Sequence, residues 1–153
     1  AQYGHVQEVI IQNFLAKANT AMGDSPNAET TEFLWTVAVA RLILGSDANL
    51  QVPPNLSAKN YQIYLDAGIN DWGGVSPLTP DFVNPEAPWP ALTELKNKTE
   101  AAGFQPKPRL PVYPEYFLNT KEFLPDSLSK KLLAMSDSEG YVQGGMQRYA
   151  SEV

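Results

Sequence analysis

Short apolar runs alternate with helical patterns along this chain, and that alternation limits the fold more than any single motif. Residues 6–13 read VQEVIIQN. The run is short, rich in β-branched residues and closed by two amides, as expected of a mostly buried strand. Ser25-Pro26 then reads as a helix start, with Ser at the N-cap and Pro at the first helical position. Glu29 and Glu32 fall in the early turns, where the helix dipole favours anions. Phe33, Leu34, Val37, Ala38, Ala40 and Leu44 form the apolar face, and Gly45 is the stop. The pattern repeats. Residues 49–52 predict a strand ended by Pro53-Pro54, and Ser57 caps a helix running to Ala67 with Gly68 as its stop. Residues 69–72 predict a third, short strand.

Residues 73–90 are a loop, because prolines at 77, 80, 85, 88 and 90 exclude a long helix. Pro90 opens a third helix with Leu92, Leu95 and Ala102 on one face and Glu94–Lys98 as a favourable i,i+4 pair, stopped by Gly103. Residues 109–113 predict a fourth strand. Residues 126–135 predict a fourth helix with Leu128, Leu132 and Met135 aligned. The order β-α-β-α-β-α-β-α calls for parallel strands with crossover helices. That leaves an open doubly wound sheet or part of a (β/α)8 barrel. A complete barrel needs about 250 residues, and 153 residues hold roughly half the units.

Composition removes other classes. With no cysteine there is no disulfide scaffold, thiolate zinc site or protein-ligated iron–sulfur cluster in this chain, and one histidine excludes a multi-histidine centre. We expect no metal ligands. Seventeen acids against eleven bases give a net charge of −6, which argues against a general nucleic-acid binder. No apolar run approaches the ~18 residues of a membrane span, so no membrane partner is expected. The opening Ala-Gln-Tyr-Gly-His does not read as a signal peptide, and the missing initiator Met points to a processed chain or a fragment. The chain has no G-x-G-x-x-G, P-loop or G-x-S-x-G motif.

In both architectures ligands bind at the carboxyl ends of the strands. That rule selects Gln12, Asn13 and Phe14, then Gln51, Asn55 and Ser57, then Asn70-Asp71-Trp72-Gly73-Gly74, and finally Glu115 and Tyr116. Amides both donate and accept, so they suit an uncharged polar ligand such as a base or a sugar. Gly73-Gly74 lets backbone approach a ligand closely. Each group also has a plain structural reading: strand-capping amides, an Asn-Asp-Gly turn, and Glu115 at a helix N-terminus. Asp71 and Glu115 are a candidate acid–base pair. His5 precedes the first strand, on the side away from the expected ligand face.

Five stretches are specific when taken together: GHVQEVIIQNF at 4–14, LWTVAVARLILG at 34–45, NLQVPPNLS at 49–57, LDAGINDWGGVSPLTPDFVNPEAPWP at 65–90 and PRLPVYPEY at 108–116. They resemble the radical S-adenosylmethionine subunits of 7,8-didemethyl-8-hydroxy-5-deazariboflavin synthases, with GINDWGGVSPLTPD the most diagnostic. The resemblance implies the C-terminal half of a TIM-type (β/α) radical barrel over residues 1–136, with residues 137–153 as a tail. In that family a four-iron four-sulfur cluster binds S-adenosylmethionine and cleaves it reductively. The resulting radical attacks an adduct of tyrosine and a ribitylaminouracil, and ring closure with loss of ammonia gives the deazaflavin chromophore. The family works with a sister radical subunit or a fused domain, and the resemblance implies a cytoplasmic enzyme.

Carried over by position, the resemblance places Gln12 and Asn13 near S-adenosylmethionine. It places Gln51, Val52 and Asn55 near its adenine or the substrate, and Asn70, Asp71, Trp72, Gly73 and Gly74 on the substrate side, with Asp71 the candidate catalytic group. The family's cluster motif CxxxCxxC has no counterpart in this chain. We therefore expect the chain alone to be inactive and, with open strand edges, poorly soluble. Two alternatives differ in class: a cysteine-free α/β domain that only binds a flavin-like or nucleotide ligand, and an unrelated α/β enzyme using Asp71 and Glu115.

Overall fold

The computed structural model describes residues 4–57, 60–76, 78–119 and 122–146. The chain divides into two compact units, residues 8–98 and residues 1–7 with 99–153.

The 8–98 unit is mixed α/β. Strand β1 (Val9–Ile10) pairs in parallel with β2 (Leu50–Gln51), placing Val9 opposite Leu50 and Ile10 opposite Gln51. Helix α1 (Thr30–Leu44) lies between them in sequence. Asp71 adds a single parallel bridge to Gln51. Three segments therefore follow the expected parallel order, but the strands are far shorter than the apolar runs. Pro53 and Pro54 end β2, since neither can donate to a ladder and the chain turns at once into a 3-10 segment, Pro54–Ser57. The last ladder bond from the first run is Ile11 N–H to the Gln51 carbonyl at 2.9 Å.

Helix α1 starts later than Ser25-Pro26 suggests. Ser25 N–H donates to Met22, Ala28 N–H donates to the Phe14 carbonyl, and Asn27 Oδ1 accepts from Ala16 N–H at 2.8 Å. Those bonds tie residues 25–28 back to the preceding loop, so the N-cap passes to Glu29. At the other end Gly45 takes φ 85° and its N–H donates to the Arg41 carbonyl, as the sequence predicts. Phe33 and Val37 are buried, and the Phe33 ring meets Tyr64 edge-on with centroids 5.2 Å apart. On the opposite face Trp35, Leu42 and Ile43 are exposed.

The helix expected from Ser57 to Ala67 contracts to α2 (Ile63–Asp66). Ser57 does not cap it, because its hydroxyl is engaged by Asn13 and Tyr64. Helix α3 (Leu92–Ala101) buries Leu95 and carries the Glu94–Lys98 pair at 2.9 Å.

The second unit contains α4 (Glu115–Leu118) and α5 (Asp126–Met135), the latter with the expected bounds. Leu110, Phe117, Leu132 and Val142 form its core, with Val112 and Leu124 against them. The fourth parallel strand is not formed. Arg109 instead makes an antiparallel bridge to Tyr141, and Val142 N–H donates to the Pro108 carbonyl at 2.8 Å. Prolines at 108, 111 and 114 remove the donors that a longer ladder needs. The start of the first apolar run binds here through the Val6 carbonyl and the Gln7 side chain. Tyr113 N–H donates to Gln7 Oε1 at 3.0 Å, and the Tyr116 hydroxyl donates to the Val6 carbonyl at 2.8 Å. Residues 136–142 turn back on themselves, with Ser136 bridging Val142 and Asp137 Oδ1 accepting from the Glu139 and Tyr141 amides. The end of the expected tail, residues 147–153, lies outside the described residues. Among the described residues no helix is long and apolar enough to cross a membrane.

Candidate functional site

The carboxyl ends of the parallel segments in the 8–98 unit bring most of the expected residues together. Gln51 is 8% exposed, and its carboxamide occupies the space above Gly73 that a Cβ there would fill. Gly73 has φ 78°, a conformation that L side chains rarely adopt. Asp71 Oδ1 accepts from the Gly73 N–H, and Val52 N–H donates to the Asp71 carbonyl at 3.4 Å. Gln51, Val52, Asp71 and Gly73 thus form one block, in which the Gln51 side chain lies over the Gly73 backbone and the positive φ there favours glycine. Gly74 is open, with nothing within 4 Å of the position a Cβ would take. The Trp72 ring stands edge-on to Tyr61, centroids 5.4 Å apart. Burial, then the Glu94 charge, pushes the Tyr61 hydroxyl up to about 12, so it stays protonated at neutral pH.

Asn13 follows β1 and lines a cleft of about 310 Å³ with Thr30, Leu56, Ser57, Ile63 and Tyr64. Asn13 Nδ2 donates to Ser57 Oγ at 3.3 Å, and the Tyr64 hydroxyl donates to the same oxygen. Burial raises the Tyr64 pKa against the opposing effect of the Ser57 bond. Among the described residues no charged side chain lines the cleft.

Asn55, 2% exposed, sends its Nδ2 to Asp81 Oδ2 at 2.9 Å and to the Ala87 carbonyl at 3.0 Å. Asp81 also accepts from Asn84 Nδ2 at 2.9 Å and from the Val83 and Asn84 amides at 2.9 and 3.1 Å. These bonds, that from the Asn84 side chain foremost, hold its carboxyl below the usual carboxylate range. Asn13 Oδ1 and Asn55 Oδ1 are both enclosed with no partner.

The remaining candidates take no part in the bonds that join these groups. Gln12 is exposed. Asn70 faces the opposite end of the sheet: its Oδ1 accepts from Leu50 N–H at 2.8 Å and from Arg41 Nη2 at 3.2 Å. Arg41 itself donates to the carbonyls of Gly68 at 2.6 Å, Gly45 at 2.7 Å and Ala48 at 2.8 Å. Glu115 and His5 belong to the other unit. Sequence reasoning missed Asp81, Asn84, Tyr64 and Arg41. Asp81 had a usable signal, since Asp-x-x-Asn in a proline-rich loop favours an Asx turn. Among the described residues no group of three or more His, Asp or Glu could hold a metal ion, and the sequence has no cysteine.

These features define a mixed α/β unit with short parallel strands, whose carboxyl ends gather amide side chains. Sequence comparison makes the class particular. The chain is 51% identical over 142 residues to the 7,8-didemethyl-8-hydroxy-5-deazariboflavin synthase of Methanopyrus kandleri, covering 93% of this chain and 42% of that protein. It is 50% identical over 137 residues to the FO synthase of Streptomyces coelicolor, covering 90% of this chain and 16% of that protein. It is 54% identical over 115 residues to the synthase of Methanococcus aeolicus, covering 75% and 32%. The chain is homologous to a portion of the FO synthases and spans less than half the length of these relatives. No family model matches it, and no solved structure matches it.

Proposed function

We propose that this chain is the C-terminal part of the radical S-adenosylmethionine barrel of an FO synthase. In this reading residues 1–136 supply strands and helices of the barrel and residues 137–153 form a tail. The complete enzyme acts in the cytoplasm as a lyase. It forms the deazaflavin chromophore from a tyrosine–ribitylaminouracil adduct with release of ammonia, together with a sister subunit or fused domain. The observation that carries the reading is identity of about half over about nine-tenths of the chain, running through the residues gathered at the strand ends.

The residues present fit one implied cofactor and not the other. A four-iron four-sulfur cluster has no thiolate here, so its ligands belong outside this chain. A nucleoside-bearing cofactor fits the neutral, amide-rich strand ends. Gln12, Asn13, Gln51 and Val52 would hold S-adenosylmethionine, while Asn55, Asp71, Trp72, Gly73 and Gly74 would line the substrate side. When bound, the cofactors supply the radical chemistry. This chain's residues bind, orient and exclude water: Gln51 and Gly73 set the depth of the site, and Asp81 holds Asn55. Asp71 is the candidate catalytic carboxylate. Asn70 acts as an anchor on Arg41.

The test is reconstitution. The complete protein carrying this segment, loaded with its cluster, forms the fluorescent deazaflavin from the tyrosine–uracil adduct, and the 153-residue chain alone forms none. Product from the chain alone, or none from the complete protein, sinks the reading. Upstream DNA separates the ligand-binding alternative: an open frame with CxxxCxxC supports the enzyme, and an immediate start codon supports the binder.

A further inference from the structure

Ser57 combines three features. It follows β2, it lines the cleft, and two donors converge on its hydroxyl oxygen. A serine hydroxyl has one hydrogen to give and two lone pairs to receive. Asn13 Nδ2 fills one lone pair and the Tyr64 hydroxyl fills the other. The Ser57 hydrogen then has only the remaining tetrahedral direction, and neither neighbour can receive it in this arrangement. Tyr64 is 1% exposed, with its ring wedged against Phe33, so it cannot swing away to release the oxygen. Its burial keeps the phenol protonated and so able to donate at neutral pH, and in the structure it donates to Ser57 Oγ.

We propose that Ser57 is a fixed hydrogen-bond donor to a neutral acceptor atom of the bound small molecule, a heterocyclic carbonyl oxygen or ring nitrogen, and that Tyr64 is the positioning residue that fixes it. The inference rests on the reading of the strand ends as the cofactor and substrate site. It adds two residues and a polarity that the resemblance does not supply. A free serine rotates and can meet a donor or an acceptor. A serine held by two donors discriminates, because a ligand group that can only donate would leave the Ser57 hydrogen unpaired. The described lining is uncharged, which favours a neutral ligand atom over an anionic one.

Two sources could supply such an atom: the adenine of S-adenosylmethionine and the uracil of the substrate. The experiment uses the complete synthase carrying this segment, with Tyr64→Phe, Ser57→Ala, Ser57→Thr and the Tyr64→Phe/Ser57→Ala double variant. Equilibrium dialysis gives the Kd of S-adenosylmethionine without turnover, and initial rates give KM and kcat for the uracil substrate. Ser57→Ala and Tyr64→Phe should each weaken one of the two ligands by about tenfold, the worth of one hydrogen bond. A raised Kd assigns the acceptor to adenine, and a raised KM with kcat kept assigns it to the uracil. Ser57→Thr keeps the hydroxyl and should restore binding. Because Tyr64 acts through Ser57, the double variant should be no weaker than Ser57→Ala alone. Unchanged binding of both ligands in Ser57→Ala overturns the proposal, and so does a Tyr64→Phe loss that adds in full to that of Ser57→Ala. A wild-type synthase that neither binds S-adenosylmethionine nor turns over overturns the reading of the site instead.

Discussion

The two ends of the parallel segments in the 8–98 unit are built on opposite terms. At the amino end one guanidinium closes every account. Arg41 donates to Gly45, Ala48 and Gly68 and to Asn70 Oδ1, and Asn70 in turn receives Leu50 N–H. At the carboxyl end Asn13 Oδ1 and Asn55 Oδ1 are enclosed without partners, and one serine oxygen receives two donors. Buried polar groups are nearly always paired, and leaving one unpaired costs about 1–3 kcal/mol. On the proposed function, a fold that pairs its polar groups at one end and leaves acceptors open at the other would place its stability and its binding chemistry apart.

The largest expected effect comes from breaking the saturated end. Arg41→Met leaves three carbonyls and the Asn70 amide short of a donor, and we expect a loss of about 3 kcal/mol in the stability of the complete protein, seen as a lowered denaturation midpoint. Arg41→Lys keeps the charge but not the fork, so it should recover only a minor part. Ligand affinity per folded molecule should hardly change in either variant. If Arg41→Met left the midpoint in place, the amino end would not be the stabilising one.

Next in size is a contrast between adjacent glycines. Gly73 has φ 78° and the Gln51 carboxamide where a Cβ would go, whereas Gly74 has open space. Gly73→Ala should cost about 1–2 kcal/mol in backbone strain and displace Gln51, weakening S-adenosylmethionine in the complete protein. Gly74→Ala should stay within about 0.5 kcal/mol of wild type. Equal effects of the two substitutions would dissolve the distinction between the closed block and the open rim.

Much of the fold was legible wherever local chemistry decides. Helix α5 follows from its aligned Leu128 and Leu132, and Gly45, Gly68 and Gly103 all take the positive φ expected of helix stops. Strand length was not legible. The run at 6–13 reads as one strand, yet Val6 and Gln7 attach to residues 111–116 while Val9 and Ile10 pair with β2, and no periodicity marks that division. The antiparallel use of Arg109 was hidden for the same reason, since its partner Tyr141 lies in a stretch without pattern. At the site, the strand-end rule found Gln51, Asn55 and Asp71 but passed over the groups that hold them. Arg41 carried no local signal because its acceptors lie up to 29 positions away. Tyr64 is core, and its hydroxyl gave no signal of its own.

The smallest effect tests the loop that bears on the open end. Asp81 gathers Asn55, Asn84 and two backbone amides, and those bonds depress its pKa. A depressed folded pKa means the unfolded chain takes up the proton first as pH falls. The stabilisation is therefore complete above the ordinary carboxylate value, about pH 4, and fades as pH drops through the lower folded value. Asp81→Asn should flatten that acid limb in a stability titration of the complete protein while lowering the plateau at pH 7 only slightly, because Asp81 is only partly buried and water screens its charge. The same variant weakens one of the two bonds that hold Asn55, the other being to the Ala87 carbonyl, so a modest loss of substrate affinity should accompany it. An acid limb identical to wild type would mean that the loop, like the amino end, is held by something other than the charge of Asp81.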